Sequence, residues 1–264
     1  NVSQAVAQHA YDTLKEVDTL LLGLVERGDI LGPSDVDRSR LQALLSSRVA
    51  ELPQLQAIIV YADDDRVLIS SGSGMPAYAD SAGNEYLAHH RQHSELQPYI
   101  GMGAGKQANG DSIMGVSRRI NLPDGRFGGV VLATVRLDYF RKFYEEFSIG
   151  EQGAILMQSA AGRIVLKRPF DGDVSEIETR PSPFFSEALA AVKIKETRAS
   201  QGQDGKSRII SYRKITEYPL VVLTALSQDE ALRGWRNDGC LQISALSALI
   251  VLIGFLGCRM IRQL

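Results

Sequence analysis

The sequence predicts an α+β protein: a long N-terminal helix, two successive modules of antiparallel sheet, and a C-terminal helix that crosses a membrane. Three observations carry this. Residues 1–27 contain one glycine and no proline, with small and apolar residues recurring at alternating steps of four and three. Behind them the order helix, strand, strand, helix, strand, strand, strand occurs twice, the second time shorter. Residues 241–258 (LQISALSALIVLIGFLGC) contain no charged residue.

The first helix carries a heptad seam of Ser3, Ala7, Ala10, Leu14, Val17, Leu21 and Leu24. Gly28 and the Gly32-Pro33 step end it. Such a seam can pair with a second copy of the chain or pack against the chain's own modules, and a homodimer through it is the expected use. Ser34 and Asp35 offer N-caps for a second helix to about residue 52, with Val36, Leu41, Leu44, Leu45 and Val49 as its apolar stripe. Residues 55–61 (LQAIIVY) and 66–70 read as strands across the acidic turn Asp63-Asp64-Asp65. A helix over 84–93 and a Gly-rich loop over 101–110 come next. Strands 112–120 and 126–135 then meet at Pro123-Asp124-Gly125.

Residues 138–147 form a linking helix. In the second module, strands 154–158 and 163–166 flank a turn, 182–192 is a helix, and strands 195–200, 207–214 and 220–225 follow. Asp204-Gly205 makes a hairpin turn, and Pro219 marks entry to the last strand. Residues 229–240 are a juxtamembrane helix. The eighteen residues 241–258 span roughly 27 Å as a helix, close to the ~30 Å of a bilayer core. Arg259 and Arg262 place the following side in the cytoplasm, although Arg233 and Arg236 stand on the other. The chain starts at Asn1 without a methionine and is read as an excerpt, with an upstream anchor and a downstream output domain expected.

Composition narrows the function. A formal net charge of -2 argues against nucleic-acid binding. The only cysteines, Cys240 and Cys258, flank the apolar run, which excludes a disulfide framework or a thiolate metal cluster in the soluble part. The Gly101–Lys106 run has Ile100 and Gln107 where a phosphate-binding loop needs glycine and Ser or Thr. Neither a Gly-x-Ser-x-Gly elbow nor a cysteine nucleophile is present outside the apolar run, so no enzyme and no cofactor are expected for these residues.

Several stretches carry a family resemblance: YDTLKEVDTLLL (11–22), NEYLAHHR (84–91), SRRI (117–120) before Asp124-Gly125, FGGVVL (127–132), RLDYFRKFYEEF (136–147), and DGKSRIISYR (204–213) with PLVV (219–222). In this order they resemble the double Cache (tandem PAS-like) periplasmic sensors, above all those attached to diguanylate cyclases and related GGDEF, EAL or histidine-kinase outputs. The resemblance implies a periplasmic region over residues 1–240 of a bacterial inner-membrane receptor. Its parts would be a signalling helix (1–30), a membrane-distal module (31–142), a membrane-proximal module (143–228), and the start of the cytoplasmic part (259–264). A cyclic-di-GMP output is implied first, a histidine kinase or chemoreceptor second. Ligand is expected in the distal module.

The pocket walls are the helix carrying Tyr86, His89, His90, Arg91 and His93 and the strand carrying Ser117, Arg118 and Arg119; the site is assigned to Tyr86, His89, Arg91, Ser117, Arg118, Arg119 and Thr134. An arginine fork suits a carboxylate or other small anion. Because Arg118 and Arg119 are adjacent on a strand, at most one of them faces the pocket. Relatives that sense amino acids carry an Arg-x-Trp-Tyr stretch after the helix and an Asp near the end of the last strand. Here Gln92-His93-Ser94-Glu95 and Thr134 stand in those places, which disfavours an α-ammonium ligand. Glu85, His89 and His93 have a metal-ligand spacing, but no cysteine or HExxH pattern supports it and no metal is assigned. Arg208 and Tyr212 share a face of their strand and are read as sheet packing before a second pocket.

Overall fold

Ten strands among the described residues form two five-stranded antiparallel sheets with the same internal order. The structure, a computed structural model, describes residues 2–27, 30–31, 35–72, 79–101, 113–150, 153–159, 164–168, 195–201, 207–215 and 217–228. After helices α1 (Val2–Val25) and α2 (Asp35–Glu51) come β1 (Leu55–Ala62), β2 (Val67–Ser70), α3 (Ala79–Gln92), β3 (Tyr99–Gly101), β4 (Ile113–Asn121) and β5 (Phe127–Arg136), and the strands line up as β2-β1-β5-β4-β3. Helix α4 (Leu137–Glu145) leads to β6 (Ala154–Ser159), β7 (Ile164–Arg168), β8 (Lys195–Gln201), β9 (Ser207–Ile215) and β10 (Leu220–Ser227), ordered β7-β6-β10-β9-β8. The three-residue strand β3 escapes sequence reading because it is too short to show alternation.

The central strands of the first sheet are apolar at nearly every position because both of their faces are covered. Ile58, Val60, Met114, Val116, Val131 and Ala133 belong to the cluster shared with α1, whereas Ala57, Ile59, Tyr61, Val130 and Leu132 pack with Tyr86 and Leu87 of α3. Consecutive residues of β4 therefore serve different helices.

Helix α1 packs on β4 and β5 of the first sheet and on β9 and β10 of the second. Its seam residues Ser3, Ala7, Ala10, Leu14, Val17, Leu21 and Leu24 are all buried within the one chain. The expected homodimer through this seam is thereby corrected: two sheets already occupy the stripe. Polar contacts fix the register. Ser3 Oγ lies 3.1 Å from Ser211 Oγ, Lys15 and the Tyr11 hydroxyl reach Glu217 at 2.9 and 2.8 Å, and Gln54 donates to Glu16 at 2.6 Å. Between them sits a buried ion pair. Arg118 of β4 grips Asp18 with both arms, at 2.6 and 2.9 Å, and the Tyr218 hydroxyl lies 3.5 Å from the same carboxylate. Burial and the Asp18 charge push the Tyr218 phenol well above its ordinary range.

Helix α4 buries Leu137, Phe140 and Tyr144, and His9 of α1 stacks on Phe143 at 3.6 Å between ring centres. Arg168 of β7 donates to the carbonyls of Tyr144 and Phe147, meeting the exposed acceptors at the helix C-terminus. The expected helices over 182–192, 229–240 and 241–258 lie outside the described residues. Among the described residues no helix is long and apolar enough to cross a membrane.

Two stability predictions follow from α1. Leu14 is 0% exposed, so Leu14→Ala lowers stability by about 2–5 kcal/mol in urea titrations, with a midpoint independent of protein concentration. Asp18 and Arg118 side chains are 8% and 13% exposed, so Arg118→Ala, which strands the carboxylate, costs about 3–5 kcal/mol. Removing both charges as Asp18→Leu with Arg118→Met restores most of that loss; an equal or greater loss in the double variant would refute the account.

Candidate functional site

The site forms where α3 lies across one face of the first sheet. Alternation along β4 puts Gly115, Ser117 and Arg119 on that face, and the ladder sets them beside Thr134, Leu132 and Val130 of β5. The Tyr86 ring lies against two glycines. A Cβ on Gly115 would stand 2.0 Å from the Tyr86 hydroxyl, and one on Gly101 would stand 2.5 Å from the ring, so only glycine admits the ring here. The Tyr86 hydroxyl is buried beside the Gly115 backbone N–H and completes no hydrogen bond of good geometry among the described residues. Burial drives its pKa well above the ordinary phenol value, assisted by the Glu85 charge.

His90 stands four residues further along α3, on the same face. Its Nε2 is 2.9 Å from Ser117 Oγ, and the Tyr99 carbonyl is 3.4 Å from the same hydroxyl. At 2.9 Å the Nε2 contact is the shorter of the two; where Ser117 donates to Nε2, Nδ1 carries the proton, and where Nε2 donates, Nδ1 carries the lone pair. Nδ1 is buried and has no partner among the described residues. Burial, then the neighbouring His89, lowers the His90 pKa to about 4, so the ring is neutral at neutral pH. The His90–Ser117 pair is no activated nucleophile: the histidine is a weak base, and no carboxylate among the described residues orients Nδ1.

Arg119 donates to the Asn121 side chain at 2.6 Å and to the His90 carbonyl, with its guanidinium 4.9 Å from the Phe127 ring centre. It holds the end of α3 down on the sheet. Thr134 Oγ1 donates to the Ala57 carbonyl at 3.3 Å. Tyr86, Ser117, Arg119 and Thr134 thus share one face.

Three expectations need correction. Arg118 faces the other way and is held by Asp18. Arg91 turns to the β1–β2 turn, donating to the Asp63 carbonyl and the Asp65 carboxylate; it steadies a turn in which Asp65 takes a left-handed φ of 69°. His89 lies at the rim, stacked between His93 and Tyr99 at 4.3 and 3.8 Å, while Glu85 accepts from the Tyr99 hydroxyl at 2.8 Å. Burial and then His93 lower the His89 pKa. No group of three or more metal-ligating side chains comes together among the described residues. The inward histidine is His90, legible from its four-residue step beyond Tyr86. Asn121 was missed, and the β4 alternation through Ser117 and Arg119 points to it.

His90 also predicts a pH response. A histidine held near pKa 4 in the fold and at about 6.5 when unfolded gives stability that is full above pH 6.5 and is lost as pH falls toward 4. The loss is on the order of 3 kcal/mol. His9 and His89 act in the same direction. Urea midpoints at pH 7 and pH 4.5 should therefore converge in His90→Gln relative to the parent; an unchanged gap would remove His90 from this role.

Comparison with known proteins agrees with this architecture. A family model described as the Cache domain matches residues 1–235. Among solved structures, the extracellular domain of rpHK1S-Z16, described as a histidine kinase, is 29% identical with a TM-score of 0.72, covering 89% of this chain and 95% of its own. The ligand-binding domain of the Pseudomonas aeruginosa PAO1 amino acid chemoreceptor PctB, in complex with L-Gln, is 16% identical with a TM-score of 0.64, covering 92% and 96%. That of PctC from the same organism, in complex with GABA, is also 16% identical, with a TM-score of 0.59 and coverage of 86% and 96%. The search of curated proteins returned no match. With two sheets of one order behind a shared helix, and with a family model matched along nearly its whole length, the chain belongs to the Cache domain family of ligand-binding sensor regions, which are not enzymes.

Proposed function

We propose that this chain is the extracytoplasmic sensing region of a bacterial transmembrane receptor and that it holds a small polar molecule between α3 and the first sheet. The observation that carries the reading is a pair of buried polar atoms without partners among the described residues, Tyr86 Oη and His90 Nδ1. They sit on one helix face, above Ser117, Arg119 and Thr134. Each such atom costs about 1–3 kcal/mol while unsatisfied, and a ligand that bonds to both removes that penalty.

A carboxylate or other small anion suits the site best, because Arg119 supplies the positive charge there and the Tyr86 hydroxyl and, in its Nδ1–H tautomer, His90 can both donate to it. Glu85, beside Tyr86 on α3, is already bonded to Tyr99. An α-ammonium group would find Thr134 where amino-acid-sensing relatives carry an aspartate. The amino acids bound by PctB and PctC therefore do not transfer with the fold.

In this reading residues 31–142 form the membrane-distal module, residues 143–228 the membrane-proximal module, and residues 1–30 the signalling helix. Residues 241–258 cross the inner membrane, which leaves 1–240 periplasmic. The relative at 29% identity supports a histidine-kinase output, and the chemoreceptor neighbours are compatible with a second such class. A cyclic-di-GMP output, implied by the resemblance alone, ranks behind both. A homodimer, if formed, uses a surface other than the α1 seam.

A thermal-shift screen of the whole chain tests the ligand class with small carboxylates, amino acids, polyamines, nucleobases and divalent metals. A carboxylate at a hundred times its Kd should stabilise by about 2.7 kcal/mol, a rise of several degrees. Arg119→Gln should abolish the rise and Arg91→Gln should preserve it. Stabilisation by amino acids alone, or by nothing in the screen, would overturn this proposal.

A further inference from the structure

The second sheet has a recess that none of the contacts above uses for a ligand. It opens between the first half of α1 and β9, has a volume of about 260 Å³, and is walled by Gln4, Gln8 and Tyr11 on the helix and by Arg213, Lys214 and Glu217 beyond. Ala7 and Ile215, both buried, make an apolar floor. It lies on the α1 side of the second sheet, apart from the pocket under α3.

The charges in this recess do not balance. Glu217 is its one acidic lining residue, and both of its oxygens are taken, by the Lys15 ammonium at 2.9 Å and the Tyr11 hydroxyl at 2.8 Å. Those two bonds hold its carboxyl below the usual range. Lys15 thus neutralises Glu217 and leaves Arg213 as the cation of the recess on the α1 side, since Lys214, the next residue of β9, turns to the other face. Ser211, two residues before Arg213 on β9, meets Ser3 of α1, so strand alternation turns Arg213 toward the same helix. The Arg213 Nε is buried and has no hydrogen-bond partner among the described residues. A guanidinium edge of this kind donates two parallel bonds to a carboxylate.

We infer that this recess binds a small carboxylate through Arg213, with the Gln4 amide facing it from α1. The bound anion bridges the helix to the second sheet, and so favours the arrangement in which the two are packed together. The inference stands apart from the proposed pocket under α3 and does not depend on it.

Calorimetric titration of the whole 264-residue chain in detergent with succinate, at constant ionic strength, tests it. Saturable binding is expected, weakened at least about tenfold by Arg213→Gln through loss of the charge-assisted pair. Gln4→Glu should weaken it similarly by placing a carboxylate opposite an intact Arg213, which separates loss of the site from a folding defect. Arg119→Gln should leave it unchanged. Affinity unaffected by both Arg213→Gln and Gln4→Glu, or no saturable heat at millimolar succinate, would overturn the inference. Loss of binding in Arg119→Gln would assign the heat to the pocket under α3 and overturn it equally.

Discussion

A carboxylate buried under a helix has to be answered where it lies, and Asp18 is answered from both sheets. Arg118 reaches it from β4 with two bonds, and Tyr218 approaches it from the segment entering β10. A buried ion pair of this kind adds little net stability over an apolar substitute, since desolvation offsets most of the attraction. What it supplies is a register. Shifting α1 by one turn would move Asp18 about 5.4 Å and leave two opposite charges unpaired in the interior. The apolar contacts cannot enforce this alone, because a stripe of Ala, Val and Leu tolerates sliding far better than a bidentate pair does. The two sheets share one continuous core, running from Val6 and Leu14 through Val116 and Val131 to Met157 and Val222, and α1 is the element common to both halves.

The local order in β4 explains how the site and this register are connected. Ser117 and Arg119 hold the His90 side chain and carbonyl on one face, while Arg118 between them holds Asp18 on the other. A strand cannot twist at one of these positions without turning its neighbours, since successive side chains are tied to one backbone. The contacts with α3 and the grip on α1 therefore use adjacent residues of a single strand. This is a mechanical link with no long path to trace.

Most of the architecture was legible from the sequence, and the reasons differ by element. The α1 seam, the apolar central strands and the paired modules follow from periodicity and turn residues, which local chemistry controls. The partner of the seam was not legible, because a stripe of apolar residues looks the same whether a second chain or two sheets cover it. Strand β3 was too short to show a pattern. Within the site, alternation left open which of Arg118 and Arg119 faces α3, and only the packing of α1 decides it. Arg91 misled because an arginine on a pocket helix resembles a ligand residue; its actual partner is a turn with a left-handed Asp65. His90 was recoverable, since a four-residue step from Tyr86 places both on one helix face. Its loss of basicity was not, because that depends on how deeply the ring is covered.

These facts limit what a sensing mechanism here can be. A ligand shifts an equilibrium only by the difference in its affinity for two states, so a molecule that merely fills the space under α3 changes nothing at a distance. The groups able to report occupancy are those whose bonding changes when it binds, and Tyr86 Oη and His90 Nδ1 are the buried atoms on that face without a partner among the described residues. Any movement of His90 reaches Ser117 through its Nε2 and Arg119 through its carbonyl, and both flank Arg118. On the far side, a buried charge pair resists gradual loosening, because partial separation strands charge in a poorly solvated interior. The Asp18 contact is therefore either kept or exchanged for another. That all-or-none character is what a two-state element requires.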